Sequence, residues 1–226
     1  MRAPTRRIAT AVSAASALAL LLGGCSWADD WSGSRSGLQP IGTVTQGFTD
    51  AAAPPAPGAT IAPRAGTWDT VHPPQGYRVV LLTAGDDRAT ETVAAAVAEW
   101  ATAEGVSMKT VTVTEPDRAI DGIVEAMELG PDLIVSAGAG LVDPLAVVTA
   151  SHLERQFLVV GAQLPEPTAN VTAAIWQGAS SRGSEVADSA TSNVPDAVTP
   201  EKAGTAVRAG VASVLNDITG IVVSID

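Results

Sequence analysis

The feature that most constrains the fold is a regular alternation of short apolar runs with helical periods, which begins at Tyr77 and continues through the rest of the sequence. The apolar runs predict strands at Tyr77–Ala84, Ser107–Thr114, Asp132–Ala137, Phe157–Gly161, Val171–Trp176 and Ile221–Ile225. Helical periods are predicted over Arg88–Glu104, from Ile120 to Met127, from Asp143 to Leu153 and from Pro200 to Ile218, with weak helical character at Ser180–Ser189.

This alternation predicts an α/β fold, because strands that alternate with helices pair in parallel through right-handed crossovers. We expect a three-layer, doubly wound, mostly parallel sheet of about five to six strands, with a flavodoxin-like order resembling 2-1-3-4-5. The first strand is almost continuously apolar and is expected at the centre, whereas the second alternates and is expected at an edge. Thr114 and Asp143 are expected to cap the second and third helices. Glu115 and Asp117, which flank a proline, are also assigned to capping.

The first 24 residues predict a lipoprotein signal peptide. Three arginines precede an uncharged apolar run that ends at Leu22, which is short for a bilayer span and typical of a secretory segment. Small residues then lead into the only cysteine, Cys25, in a pattern that resembles a bacterial lipobox. In such a motif the cysteine sulfur carries a diacylglyceryl group. The prediction is a lipid-anchored protein on the extracytoplasmic face of the cell membrane; the alternative is a soluble export signal with an incidental cysteine.

Residues 25–76 predict a disordered tether between this anchor and a folded domain over 77–226. The segment is rich in Pro, Ala, Gly and Ser, so it cannot bury enough apolar surface to offset its ordering entropy. A coil of this length spans roughly 40 Å. Trp27, Trp31 and Trp68 are unusual in a tether, and they lie at the lipid headgroups, pack on the domain or are simply exposed.

Composition excludes several classes of function. The formal charge is −11, and it becomes −14 after Gly24, because the first 24 residues hold three of the 13 basic residues and none of the 24 acidic ones. Such a surface repels phosphate backbones and disfavours nucleic-acid binding. Two histidines and one cysteine form neither a metal cluster nor an acid–base dyad, so no metal, cofactor or catalytic residue is assigned and the chain is not expected to be an enzyme.

Candidate ligand-binding residues follow the first and third strands. In an open parallel sheet, ligands lie beyond the carboxyl ends of the strands, which selects Asp86 and Asp87, and Gly138 and Gly140. These glycines would let a ligand approach backbone N–H groups. The alternative is that an aspartate caps the first helix and the glycines form a tight turn.

Two further candidates follow the fifth strand. Trp176 closes that strand and either stacks on a flat ligand or plugs the edge of the core. Arg182 either pairs with an anionic ligand or offsets an acidic surface.

The order of segments resembles one lobe of the basic-membrane-protein family, the lipoprotein binding subunits of nucleoside-type ABC importers. The resemblance is carried by Gly130–Gly138 (GPDLIVSAG), Phe157–Val160, the Asn170-Val171 strand opening, Gly183-Ser184 after Trp176, and Gly210–Ile225. It implies a binding-protein lobe, a nucleoside-like or other small polar ligand, and an ABC permease as partner. Family members have two lobes that enclose the ligand, whereas this chain has one. Thr83–Asp87 also replaces the family's first-loop aromatic-Asn-Asp motif.

These observations predict a membrane-anchored, non-enzymatic lipoprotein with a substrate-binding-protein-like domain. The alternative is an envelope interaction or structural lipoprotein that binds a protein partner and no small ligand.

Overall fold

The computed structural model describes residues 31, 33, 38–50, 52–177 and 198–225, which belong to one compact unit. The described strands are β1 Thr60–Ile61, β2 Arg78–Ala84, β3 Ser107–Val113, β4 Leu133–Ala137, β5 Phe157–Val160, β6 Val171–Trp176 and β7 Val222–Ile225. The described helices are α1 Arg88–Ala103, α2 Ala119–Glu128, α3 Val142–Thr149 and α4 Pro200–Leu215, and a 3₁₀ turn at Pro116–Arg118 precedes α2.

The strands form one sheet in the order β1-β7-β6-β5-β4-β2-β3, and every neighbouring pair is parallel. Apart from β1, the strands follow the predicted order, with β3 at one edge; β2 is an interior strand next to that edge, and not at the centre as predicted. The predicted fold class is confirmed. The strand count of seven exceeds the prediction because β1 contributes only two residues and pairs with β7, a partner far away in the sequence.

Helices cover both faces of the sheet, as predicted. On one face, α1 and α4 pack on each other and on the strands, with Val97 and Val207 fully buried. On the other face, α2 and α3 pack together, with Ile123 and Leu145 fully buried. Successive residues of a strand point to opposite faces, so a strand such as β2 supplies both cores.

The predicted tether over 25–76 is wrong for the described residues 38–50 and 52–76, which we call the arm. The Thr60–Ile61 strand of the arm pairs with β7, and the backbone N–H of Val44 donates to Asn216 Oδ1 at 3.2 Å. Phe48 and Trp68 are buried in the α1/α4 core, with their ring centroids 6.3 Å apart in an edge-to-face arrangement. Two buried aromatic side chains supply the apolar area that the segment's average composition lacks.

Trp31 also packs on the domain, which was one of the alternatives left open by the sequence. It is 9% exposed and belongs to the α2/α3 core. Its indole Nε1 donates to Ser107 Oγ at 2.8 Å, and its carbonyl oxygen accepts from Arg78 Nη1 at 2.7 Å. Trp68 takes the same alternative, whereas Trp27 lies outside the described residues.

Two predicted helix caps are wrong. Thr114 does not cap α2, because the 3₁₀ turn intervenes and the residue before α2 is Arg118. Asp143 lies inside the first turn of α3, where its charge suits the helix dipole, and the N-cap position is Leu141. Glu115 precedes the 3₁₀ turn but makes no side-chain capping hydrogen bond.

Candidate binding groove at the carboxyl edge of the sheet

A solvent-open groove of about 660 Å³ lies at the carboxyl ends of β2 and β3. Its walls are the loops that follow β2, β3 and β4, together with the starts of α2 and α3. The lining residues are Ala84, Gly85, Asp87, Val113, Thr114, Pro116, Asp117, Ala119, Ile120, Gly140, Leu141 and Pro144. The lining is mostly apolar, with two carboxylates and one hydroxyl among it.

The topology explains why a groove forms at this place. The chain leaves β2 for α1 on one face of the sheet and leaves β4 for α3 on the other face, although β2 and β4 are neighbours. The two loops therefore diverge and open a crevice, which is where ligands bind in open α/β sheets. This is the edge of the sheet at which the sequence predicts ligand binding.

Gly140 is a candidate that does line the groove. A Cβ at this position would lie 3.0 Å from the carbonyl oxygen of Ala84, tighter than ordinary contact. Glycine therefore lets the loop after β4 approach the end of β2 closely.

Asp87 also lines the groove, but its carboxylate is occupied by the helix that it begins. Oδ1 accepts from the backbone N–H groups of Ala89 and Thr90, both at 3.0 Å, and Oδ2 accepts from Thr90 Oγ1 at 2.6 Å. These contacts match the capping alternative. The neighbouring Asp86 is exposed and is not part of the groove lining.

Gly138 is buried and lies outside the groove lining. Its φ is 75°, and a Cβ there would lie 2.5 Å from Thr90 Oγ1. Its N–H donates to the carbonyl of Val160 at 2.9 Å. Glycine at this position serves the close packing of the β4 end against α1.

Trp176 does not reach the groove. It is 2% exposed and belongs to the core under α1 and α4, where a Cβ on Gly161 would lie 3.3 Å from its ring. Its indole Nε1 is buried and has no hydrogen-bond partner among the described residues. The contacts match the plug alternative. Arg182 and Cys25 lie outside the described residues.

Asp117 is the groove residue that the sequence analysis assigned to another role. It is exposed, it lines the groove, and within the described residues its carboxylate has neither a hydrogen bond nor an ion pair. The available signal was its position in the loop between β3 and α2, at the same sheet edge as Asp87.

Two kinds of feature are absent from the described residues. They contain no group of three or more His, Cys, Asp or Glu side chains placed to hold a metal ion. Among the same residues, no helix combines the length and the apolar character needed to cross a membrane.

The fold and the groove together define a doubly wound α/β domain with a flavodoxin-like strand order. No protein-family profile matches the chain, and no curated protein matches it. Similar solved structures include an ABC transporter solute-binding protein from Aeropyrum pernix K1, at 21% identity and a TM-score of 0.41, covering 45% of this chain and 29% of that one. A presumed lipoprotein fragment from Peptoclostridium difficile 630 is similar at 15% identity and a TM-score of 0.44, covering 63% of this chain and 99% of that one.

A third similar structure is an ABC transporter solute-binding protein from Conexibacter woesei DSM 14684, at 19% identity and a TM-score of 0.37, covering 45% of this chain and 35% of that one. The match therefore spans about a third of the length of each of the two solute-binding proteins.

Proposed function

We propose that this chain is a lipid-anchored, extracytoplasmic binding protein without enzymatic activity, which holds a small polar ligand in the groove at the carboxyl edge of the sheet. The membrane anchor is the acylated Cys25. The family resemblance of the sequence supports delivery of the ligand to an ABC permease.

The observation that carries this proposal is the groove itself. Its volume of about 660 Å³ lies within the usual range of small-molecule sites, and it occupies the position where doubly wound sheets bind ligands. The apolar lining suits the flat or alkyl face of a ligand, and Asp117 offers a carboxylate to a hydroxyl or ammonium group. Because this carboxylate has no basic partner in the groove lining and the chain carries a charge of −11, the ligand is neutral or cationic.

Thermal unfolding of the full chain in detergent tests the proposal, with nucleosides, sugars, amino acids and amines as the panel. A ligand at a hundredfold excess over its Kd should raise Tm by about 5–10 °C. Asp117→Asn should weaken binding by about tenfold, because a charge-assisted hydrogen bond is lost. Asp69→Asn removes the same charge from an exposed position in the arm and should leave binding unchanged. Flat melting curves across the whole panel would contradict small-ligand binding.

Lipid anchoring has its own test. The full chain should float with membranes and incorporate a labelled fatty acid, and Cys25→Ser should abolish both. A variant that still carries the label would show that the sulfur is not the acylation site.

One observation favours the interaction alternative. Ile120 and Val124 are one turn apart on α2 and are 50% and 36% exposed, and Val147 on the neighbouring α3 is 66% exposed. Exposed apolar side chains on adjacent helices are typical of protein contact surfaces. A photo-crosslinking residue at Val147, which lies outside the groove lining, should capture a protein partner in cells if this alternative holds. A crosslinking residue at the exposed Asp69 is the control.

A further inference from the structure

We infer that the amino-terminal edge of the sheet faces the membrane, so that the groove opens away from it. The inference rests on the proposed acylation of Cys25. It concerns the surface that the domain turns toward the lipid, which acylation alone does not determine.

The chain is attached to the domain at Trp31. Trp31 is hydrogen-bonded to the first residue of each of two adjacent strands. Its Nε1 donates to Ser107 Oγ in β3 at 2.8 Å, and its carbonyl oxygen accepts from Arg78 Nη1 in β2 at 2.7 Å. Both contacts lie at the amino-terminal edge of the sheet. The chain therefore joins the domain at this edge.

Two cationic side chains lie over the Trp31 indole. Lys109 Nζ lies 4.7 Å and Arg78 Cζ 5.6 Å from the centroid of the Trp31 ring. Cations at these distances from a ring are attracted to its face. Trp31 is 9% exposed and packs in the α2/α3 core, so its indole is an integral part of the folded domain.

The segment that joins Cys25 to Trp31 is short. Five residues lie between Cys25 and Trp31 in the sequence, and an extended chain spans at most about 3.5 Å per residue, so the covalent length of this segment cannot exceed about 20 Å. A tether that continued to residue 76 would impose no such limit.

The groove lies at the other end of the same strands. Because β2 runs for seven residues from Arg78 to Ala84, its two ends are about 20 Å apart. An anchor held close to the amino edge therefore places the carboxyl edge, with the groove, on the far side. Ligand enters from the aqueous side, and a partner that receives it must reach past the body of the domain.

Energy transfer from single labelled thiols to an acceptor dye on lipid headgroups tests this orientation. Gln75→Cys places a thiol in the exposed turn before β2, and Glu115→Cys places one in the exposed turn after β3. The acylated Cys25 carries no free thiol, so each variant has one labelling site. In vesicles of phosphatidylcholine and phosphatidylglycerol, transfer from residue 75 should clearly exceed transfer from residue 115. Equal or reversed transfer would overturn the inference.

Two further variants identify the cause of the difference. Insertion of a 20-residue Gly-Ser linker after Ser26 keeps every contact of Trp31 but frees the body, so the difference between the two labels should disappear. Trp31→Ala should reduce it as well. A difference that survives the linker would mean that the short tether does not set the orientation, which also overturns the inference.

The same preparation distinguishes failure of the anchor from failure of the orientation. Protein that does not float with the vesicles would refute acylation and the inference with it. Protein that floats but shows no difference between the labels would leave the anchor intact and refute only the orientation.

Discussion

The carboxylate of Asp87 lies in the groove lining, but its hydrogen bonds cap the start of α1. Three hydrogen bonds from the first turn of α1 occupy its two oxygens. A ligand that approached it would compete with the helix cap. Asp117, whose carboxylate has neither a hydrogen bond nor an ion pair within the described residues, is the side chain better placed to recognise a ligand.

Asp87→Ala should therefore lower the free energy of unfolding by about 1 kcal/mol, the usual cost of losing a helix cap. Asp87→Ser should recover most of that loss, because a serine hydroxyl also caps. Urea titration followed by circular dichroism measures both. Asp86→Ala, at the exposed neighbouring residue, should have little effect. Equal losses for Asp86 and Asp87 would contradict the capping role.

Gly130 and Gly138 allow the cost of backbone strain to be separated from the cost of side-chain crowding, because their backbone conformations are similar and their surroundings differ. Gly138 and Gly130 have φ values of 75° and 64°, but a Cβ on Gly138 meets Thr90 Oγ1 at 2.5 Å, whereas one on Gly130 meets nothing within 4 Å. Gly130→Ala should cost about 1 kcal/mol, from the left-handed backbone alone. Gly138→Ala should cost more, because the end of β4 must also move away from α1. Chemical unfolding of both variants decides this, and a Gly138→Ala loss no larger than that of Gly130→Ala would exclude crowding.

At the scale of elements, the arm is the part of the molecule that departs most from its sequence pattern. The segment has the composition of a linker, yet its short strand extends the sheet and two of its aromatic rings complete the core. Average composition failed here because Phe48 and Trp68 are single large apolar residues among small and polar ones. Their partners are supplied by distant parts of the chain, which a local pattern does not reveal.

Trp68→Ala should reduce the free energy of unfolding by about 3–5 kcal/mol, the range for deleting a large buried aromatic side chain. Ile41→Ala, in the same arm but 60% exposed, should change it by less than about 0.5 kcal/mol. Guanidinium unfolding measures the two differences. A disordered tether would predict no effect from either substitution.

The local sequence pattern predicted the order of the strands but not the surroundings of Trp176. The alternation of apolar runs predicted the strand order, because parallel crossovers leave few arrangements. The direction in which Trp176 points was not predictable in this way. Alternation along β6 places it on one of two faces, but both faces of this sheet are covered by helices, so the pattern cannot distinguish a core position from a ligand contact.

For the whole molecule, the boundary of the folded domain lies well before the start of its first long strand. A protein that begins at Tyr77 would lack Phe48, Trp68 and β1, so it would expose the edge of β7 and leave a void under α1 and α4. We expect it to aggregate or to unfold without a cooperative transition, whereas one that begins at Leu38 should melt cooperatively. Differential scanning calorimetry compares them. A cooperative transition at the same temperature in both proteins would show that the arm adds no stability.

The pairing of β1 with β7 also sets an order of assembly. Thr60–Ile61 leaves the ribosome about 160 residues before the Val222–Val223 segment that it pairs with. The earliest strand of the sheet to be synthesised therefore cannot take its place until the β7 segment has also been made.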